Sequence, residues 1–296
     1  MTCFTNLPLY WVYKHRDWID WYVAGGISPE FGLDPNSLAM PDSWHRALAS
    51  QFAEAGLACA LHLPFMGVEP CDPDRAKRAH ARAQLQRGAR IGAIYKTAHM
   101  IGHPYFRHKR DEDEKGRMKL EWLEYSLETW CELPDLSGAP LFLENTFECS
   151  MTPLTVLVSA LHAARGITDP LTADVGICFD VGHWHIFAGL SAEKDLERWI
   201  DALIPYRLHL HLHDNTGQGD DHLGLGEGDI PFEALFAFLD ARNKAVSASL
   251  EPHHIEAFIR CVTWLEKHPE AARRISWQGA NVQALPVAEI QKTLAT

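Results

Sequence analysis

Eight short runs of apolar and β-branched residues alternate with segments of helical periodicity along the 296 residues, and this alternation narrows the available folds more than any other feature. The strand-like runs fall near 2–7, 27–33, 57–63, 93–100, 139–145, 174–180, 206–212 and 246–251. The clearest helical patterns are 44–55, with Trp44, Leu48 and Phe52 at helical spacing, then 74–91, 119–132, 152–165, 193–203, 231–241 and 254–267. Their boundaries carry the expected punctuation: Pro41-Asp42-Ser43 before Trp44, Gly56 after the helix it closes, Asp72-Pro73-Asp74 and Thr152-Pro153 at two helix starts. Strands separated by helices run parallel, and eight of them close a ring. The expected fold is therefore α/β, a single-domain (β/α)8 TIM barrel over 1–296. Its barrel should span about 1–268, with a helical C-terminal tail over 269–296 packed outside.

In such a barrel, side chains at the carboxyl ends of successive strands converge on one mouth, where barrel enzymes do their chemistry. Nine candidate ligands are placed there by the pattern, in chain order. They are His62 in LHLPF, His99 in KTAHM, Glu144 in LFLENT, Asp180 and His183 in CFDVGH, His211 in LHLHDN, Asp220 and His222 in GDDHLG, and Glu251 in SLEPHH. Five imidazoles and four carboxylates in one place repel, share protons or bind metal, and metal resolves the conflict at least cost. Each position also has a plainer reading. Glu144 and Glu251 suit structural salt bridges, and the Asp220–His222 loop suits a solvated turn. His209, which shares a strand face with His211 and His213 through the two-residue repeat, reads as a core histidine.

Composition excludes some functions. The formal charge of −12 disfavours a broad nucleic-acid surface, because such affinity rests on phosphate neutralisation. Seven Cys without a C-x-x-C pair, with Cys59 and Cys178 in strand-like runs, fit core packing in a reducing compartment. The first residues meet charge too early for a signal peptide, and no run of about 18 apolar residues offers a membrane span. The expectation is a cytoplasmic protein without a membrane partner.

The segments LFLENT, CFDVGHWHIFAG, LHLHDN and DDHLGLGEG resemble those of endonuclease IV (AP endonuclease family 2), within the xylose isomerase-like barrel superfamily. The resemblance covers about residues 57–267, and DxxH, HLxD and the LGEG loop are its most specific elements. It implies up to three divalent ions, zinc before manganese or iron, that hydrolyse a phosphodiester. Carried over, His62, His99 and Glu144 would hold one ion. Glu144 would be shared with a second, held also by Asp180, His211 and Glu251, while His183, Asp220 and His222 would hold a third. Glu251, Glu144 and His183 would be the catalytic residues, with Glu251 orienting the attacking water or taking its proton.

Sugar and inosose isomerases and epimerases of the same superfamily are the rival, since a single ion on the equivalents of Glu144, Asp180, His211 and Glu251 serves them. They resemble one another in a second Glu six residues after the first and an Arg six residues after the strand His. This chain has Ser150 and Gly217 there.

The opening FTNLPLYWVY and the segment LPFMGVEP after His62 depart from the DNA enzyme, which shifts the expected substrate from abasic DNA to a small anionic phosphodiester. The strand GISPEFGLD resembles the cobamide-remodelling phosphodiesterases, which cleave the nucleotide loop of a corrinoid. Residues 101–118 read as a loop on the catalytic face, where Arg107, Lys109 and Arg110 would attract an anion, although a solvated charge run fits equally. Trp11, Trp18, Trp21 and Tyr22 at helical spacing read as core or as a homodimer contact.

Overall fold

The computed structural model describes residues 2–188 and 194–285. Its strands are β1 (Cys3–Pro8), β2 (Pro29–Gly32), β3 (Ala60–His62), β4 (Met100–Gly102), β5 (Leu141–Glu144), β6 (Val175–Asp180), β7 (Leu208–Leu212) and β8 (Val246–Leu250). All pair in parallel in sequence order, and β8 returns to β1 with Cys3 opposite Ala248. The eight strands therefore close a TIM barrel, with the helices between them on its outside.

The two-residue repeat of a strand divides each sequence between two environments. Leu7, Leu61, Leu143, Ile177, Leu210 and Leu250 point outward and are fully buried beneath the helices, each worth roughly 1.5–3 kcal/mol of apolar burial. The alternate set points inward and is far more polar: Glu30, His99, Glu144, Asp180, His209, His211 and Ser249 are all nearly or fully buried. Ile101, Phe142 and Cys178 form a small separate apolar cluster among them.

Three expectations need correction. The fourth strand does not run over 93–100; the helix Arg75–Tyr95 continues to Tyr95, and β4 starts only at Met100. The reason is visible in the buried positions Leu85, Gly88, Ala89, Ile91, Gly92 and Tyr95, which keep helical spacing, and in Lys96, whose left-handed φ of 47° ends the helix. The helix expected over 119–132 runs over Leu120–Trp130 and ends two residues early, and a separate short helix, Leu133–Ser137 with Pro134 in its first turn, follows it. Among its described residues the tail is helical over Pro269–Arg274, with a 3-10 turn at Val282–Ala284, and Ser276 and Gly279 between them adopt left-handed backbone. Residues 286–296 of that tail lie outside the described residues. So does 193, the expected start of a helix that is seen over Leu196–Leu203 with Asp195 capping it. No helix among the described residues is long and apolar enough to cross a membrane.

Candidate metal centre

At the carboxyl end of the barrel, Glu144 closes β5 and lies at the centre of a histidine cluster. Its Oε2 is 3.3 Å from His62 Nε2, 3.1 Å from His103 Nε2 and 3.3 Å from His211 Nδ1, while its Oε1 is 3.3 Å from His183 Nδ1. Burial pushes this carboxyl up, yet His103, His211 and hydrogen bonds from His103 and His183 outweigh it and hold Glu144 well below the usual carboxylate range. A second group surrounds His211 Nδ1: Glu144, then Glu251 Oε1 at 3.3 Å and Asp180 Oδ2 at 3.8 Å. Burial raises Glu251, and the neighbouring Glu144 and Asp180 charges add to that against the pull of His211 and His222. The third group sits to one side, where Asp220 Oδ2 is 3.5 Å from His183 Nε2 and 3.3 Å from His222 Nε2.

The imidazoles are held by their far sides. His62 Nδ1 donates to the Leu63 carbonyl at 2.9 Å, His183 Nδ1 to the Asn145 carbonyl at 2.9 Å, and His222 Nδ1 to the Glu251 carbonyl at 2.7 Å. A carbonyl only accepts, so Nδ1 of each ring carries a proton, and Nε2 is the nitrogen that faces a carboxylate. That is the arrangement in which metal-binding imidazoles are usually oriented. At His211, Nδ1 has no hydrogen-bond partner despite three carboxylates around it, a donor set that a cation would complete.

Local sequence explains how the third group is assembled. Asp180 caps the helix Val181–Phe187 by accepting from His183 N at 2.6 Å, which swings His183 back over the barrel. Gly182 allows His213 to pack beneath that turn, since a Cβ there would lie 2.0 Å from the imidazole. Asp214 accepts from the amides of Gly226 and Ile230 and so pins the glycine loop that carries Asp220 and His222. His222 itself adopts a left-handed φ of 47° and is stacked between His213 and His253, at 3.8 and 3.7 Å. Strain of this kind persists only where the surroundings impose it.

Eight of the nine expected ligands meet at the mouth, and His99 does not. Because β4 starts at Met100, His99 lies at the opposite end of that strand, inside the barrel, with Nε2 2.8 Å from Glu30. His103 occupies the position beside Glu144 and His62 instead. Sequence reasoning placed it in the following loop, although GHP directly after the apolar Met100-Ile101 was the available signal. His213, 3.3 Å from Asp180 by Nε2 and 3.8 Å from Asp220, is a further neighbour of the third group. His209 is fully buried between Ser247 and Ser249, as a core histidine. The basic loop is largely self-neutralised: Arg110 is tied to Asp111 and Glu69, and Arg107 to Glu69, while Lys109 is exposed. Beside the mouth, Trp11, Trp18, Trp21, Tyr22, Phe258 and His253 line a cavity of about 440 Å³. Trp11 and Trp18 stack on one another at 5.9 Å, so these rings line a cavity as well as pack.

Glu148 yields a stability prediction. Burial raises its carboxyl from 4.5 to about 7, against hydrogen bonds from Thr146 that oppose the rise. A carboxyl raised on folding stabilises fully below its unfolded value of 4.5, and that contribution is lost as pH climbs through about 7. Glu148→Gln stays neutral throughout, so relative to the parent it should gain up to about 3 kcal/mol between pH 5 and 8. Urea unfolding of chelator-treated protein at both pH values checks this; an offset independent of pH would contradict it.

Comparison with known proteins agrees with the barrel. The family model described as xylose isomerase-like TIM barrel matches residues 25–277. The TTHB071 protein from Thermus thermophilus, in a structure soaked with ZnCl2, superimposes with a TM-score of 0.68 at 23% identity, covering 90% of this chain and 97% of that one. A D-psicose 3-epimerase with D-tagatose from Clostridium cellulolyticum superimposes at 0.63 with 16% identity, over 92% and 95% of the two chains. An uncharacterized Sinorhizobium fredii protein, y4fM, is 37% identical over 77 residues, which is 26% of this chain and 23% of that protein. The chain thus matches only about a quarter of that curated relative.

Proposed function

Since the chain belongs to the xylose isomerase-like TIM barrel family, we propose that it is a metal-dependent hydrolase acting on a small-molecule phosphodiester. One observation carries this reading. Three ligand groups adjoin, with Glu144 common to two of them, and two of the three exceed what a single-ion isomerase needs. The first group is His62, His103 and Glu144; the second is Glu144, Asp180, His211 and Glu251; the third is His183, Asp220 and His222. His103 stands in the place expected for His99.

Divalent ions bound there, zinc first given mixed imidazole and carboxylate donors, would lower the pKa of water to near 7 and stabilise charge on a phosphate. The chain's own part is to hold and orient. Glu144 belongs to both of the first two groups through Oε2, which faces His62, His103 and His211, while Oε1 faces His183. Glu251 would orient the attacking water or accept its proton. His183 and Asp220 mark the side on which charge on the leaving oxygen is met. The adjoining aromatic cavity would take the apolar, planar portion of a substrate, and the nucleotide loop of a cobamide is a candidate of that kind. With Arg107 and Arg110 committed to Glu69 and Asp111, Lys109 is the one of those three cations left to meet an anion. Abasic DNA fits less well with a net charge of −12.

A second reading, a single-ion sugar or inosose epimerase, is favoured by the fold likeness to D-psicose 3-epimerase. It needs only the second group, in which Glu144 and Glu251 both lie 3.3 Å from His211 Nδ1. Plasma mass spectrometry of protein purified without chelator separates the two. Close to three ions per chain is expected; close to one would turn the assignment to the epimerase.

A further inference from the structure

His62, His183 and His222 are each oriented by a backbone carbonyl, but His211, in the middle of strand β7, has no free carbonyl beside it because the strand's own carbonyls face its neighbours. What stands behind its ring is Glu30, from β2 on the far wall of the barrel. Glu30 is 1% exposed. Its Oε2 is fixed by His99 Nε2 at 2.8 Å and by the Ser249 hydroxyl, which donates at 2.6 Å. Its Oε1 lies 3.1 Å from His211 Nε2. Among the described residues neither Glu30 Oε1 nor His211 Nε2 makes a hydrogen bond of good geometry as the ring stands. Cys178 also borders this histidine, but a thiol is a weak donor and acceptor.

A buried carboxylate held by one oxygen and aimed by the other at an imidazole has a specific consequence. When His211 Nδ1 gives its lone pair to a cation, the ring must carry its proton on Nε2. That proton then meets Glu30 Oε1, and a small rotation of the ring makes a charge-assisted hydrogen bond. We propose that Glu30 is the positioning residue of the centre, fixing His211 as the Nε2-protonated tautomer with Nδ1 open toward Glu144, Asp180 and Glu251, with His99 and Ser249 anchoring Glu30 from below. This gives the inward polar stack of the barrel a role and explains why His99 is buried away from the mouth.

The inference builds on the reading of His211 as a ligand, so its test has one arm that does not depend on metal. Nitrogen-15 imidazole spectra of histidine-labelled metal-free wild-type protein, recorded at a pH alkaline enough to leave the ring neutral because the surrounding carboxylates favour its protonated form, and with His211 assigned through His211→Gln, should show His211 protonated at Nε2 and bare at Nδ1. The opposite tautomer would overturn the proposal without requiring a variant to fold. In the second arm, zinc and manganese titrations followed by calorimetry compare wild type with Glu30→Gln and Glu30→Ala, each checked by circular dichroism. Glu30→Ala should weaken metal binding about 10–100-fold, with Glu30→Gln, which retains an acceptor oxygen, between it and wild type. A folded Glu30→Ala protein that binds within about twofold of wild type would also overturn it. If wild type binds neither metal, the hydrolase reading fails while the tautomer result still decides the role of Glu30.

Discussion

Glu144→Gln should abolish turnover, with a loss on the order of 10³-fold, the scale of removing one well-placed electrostatic stabiliser, and it should leave the protein short of metal. The side chain keeps its shape and loses its charge. In the native centre that one carboxylate faces His62, His103, His183 and His211 at 3.1–3.3 Å. On the proposed assignment it is the only ligand common to two groups, so its loss would weaken two ions at once. A glutamine amide offers one oxygen, and its nitrogen must turn toward imidazole lone pairs or toward a cation. The measurement pairs metal content with activity on a phosphodiester substrate. Normal activity with full metal content would sink the shared-site arrangement. Loss of activity with metal content intact would confine Glu144 to the chemistry and remove it from the ligand set.

His103→Ala and His99→Gln should behave oppositely. Removing His103 opens the group it forms with His62 and Glu144, so one ion should be lost per chain and activity should fall by about 100-fold or more. Replacing His99 leaves the mouth untouched but disturbs its 2.8 Å contact with Glu30 in the barrel interior. The cost should appear as about 1–3 kcal/mol of stability, the usual penalty for a buried polar group left without its partner. Metal stoichiometry should stay unchanged. Mass spectrometry and urea unfolding of both variants check the pair. The reverse pattern, an ion lost with His99 and none with His103, would refute the assignment of the first group.

The two histidines also show where sequence reasoning ends. A three-residue strand bordered by a long helix carries little periodicity of its own, and the last turn of Arg75–Tyr95 is as apolar as a strand. The helix won because its buried positions repeat every three to four residues against the barrel, and that preference is settled only when the barrel surface is present. A shift of the strand start by a few residues then moves a histidine from the mouth to the interior. Glu30 was hidden for a related reason. A carboxylate in the middle of a strand gives no hint of the partners it will meet across the barrel, and its contacts with His99, His211 and Ser249 span up to 219 residues of chain.

The order of the eight strands, the closure of the barrel and the position of Glu144, Asp180, His211 and Glu251 at its mouth followed from the sequence, because strand periodicity and chain order are local properties and closure of parallel strands follows from their number. Which histidine completes the first group, which nitrogen of each ring faces inward, and how Arg107 and Arg110 are spent were decided only by tertiary structure. Those outcomes depend on distances of about 3 Å between residues far apart in the chain, the scale on which hydrogen bonds and ion pairs act, and no pattern of composition or spacing encodes them.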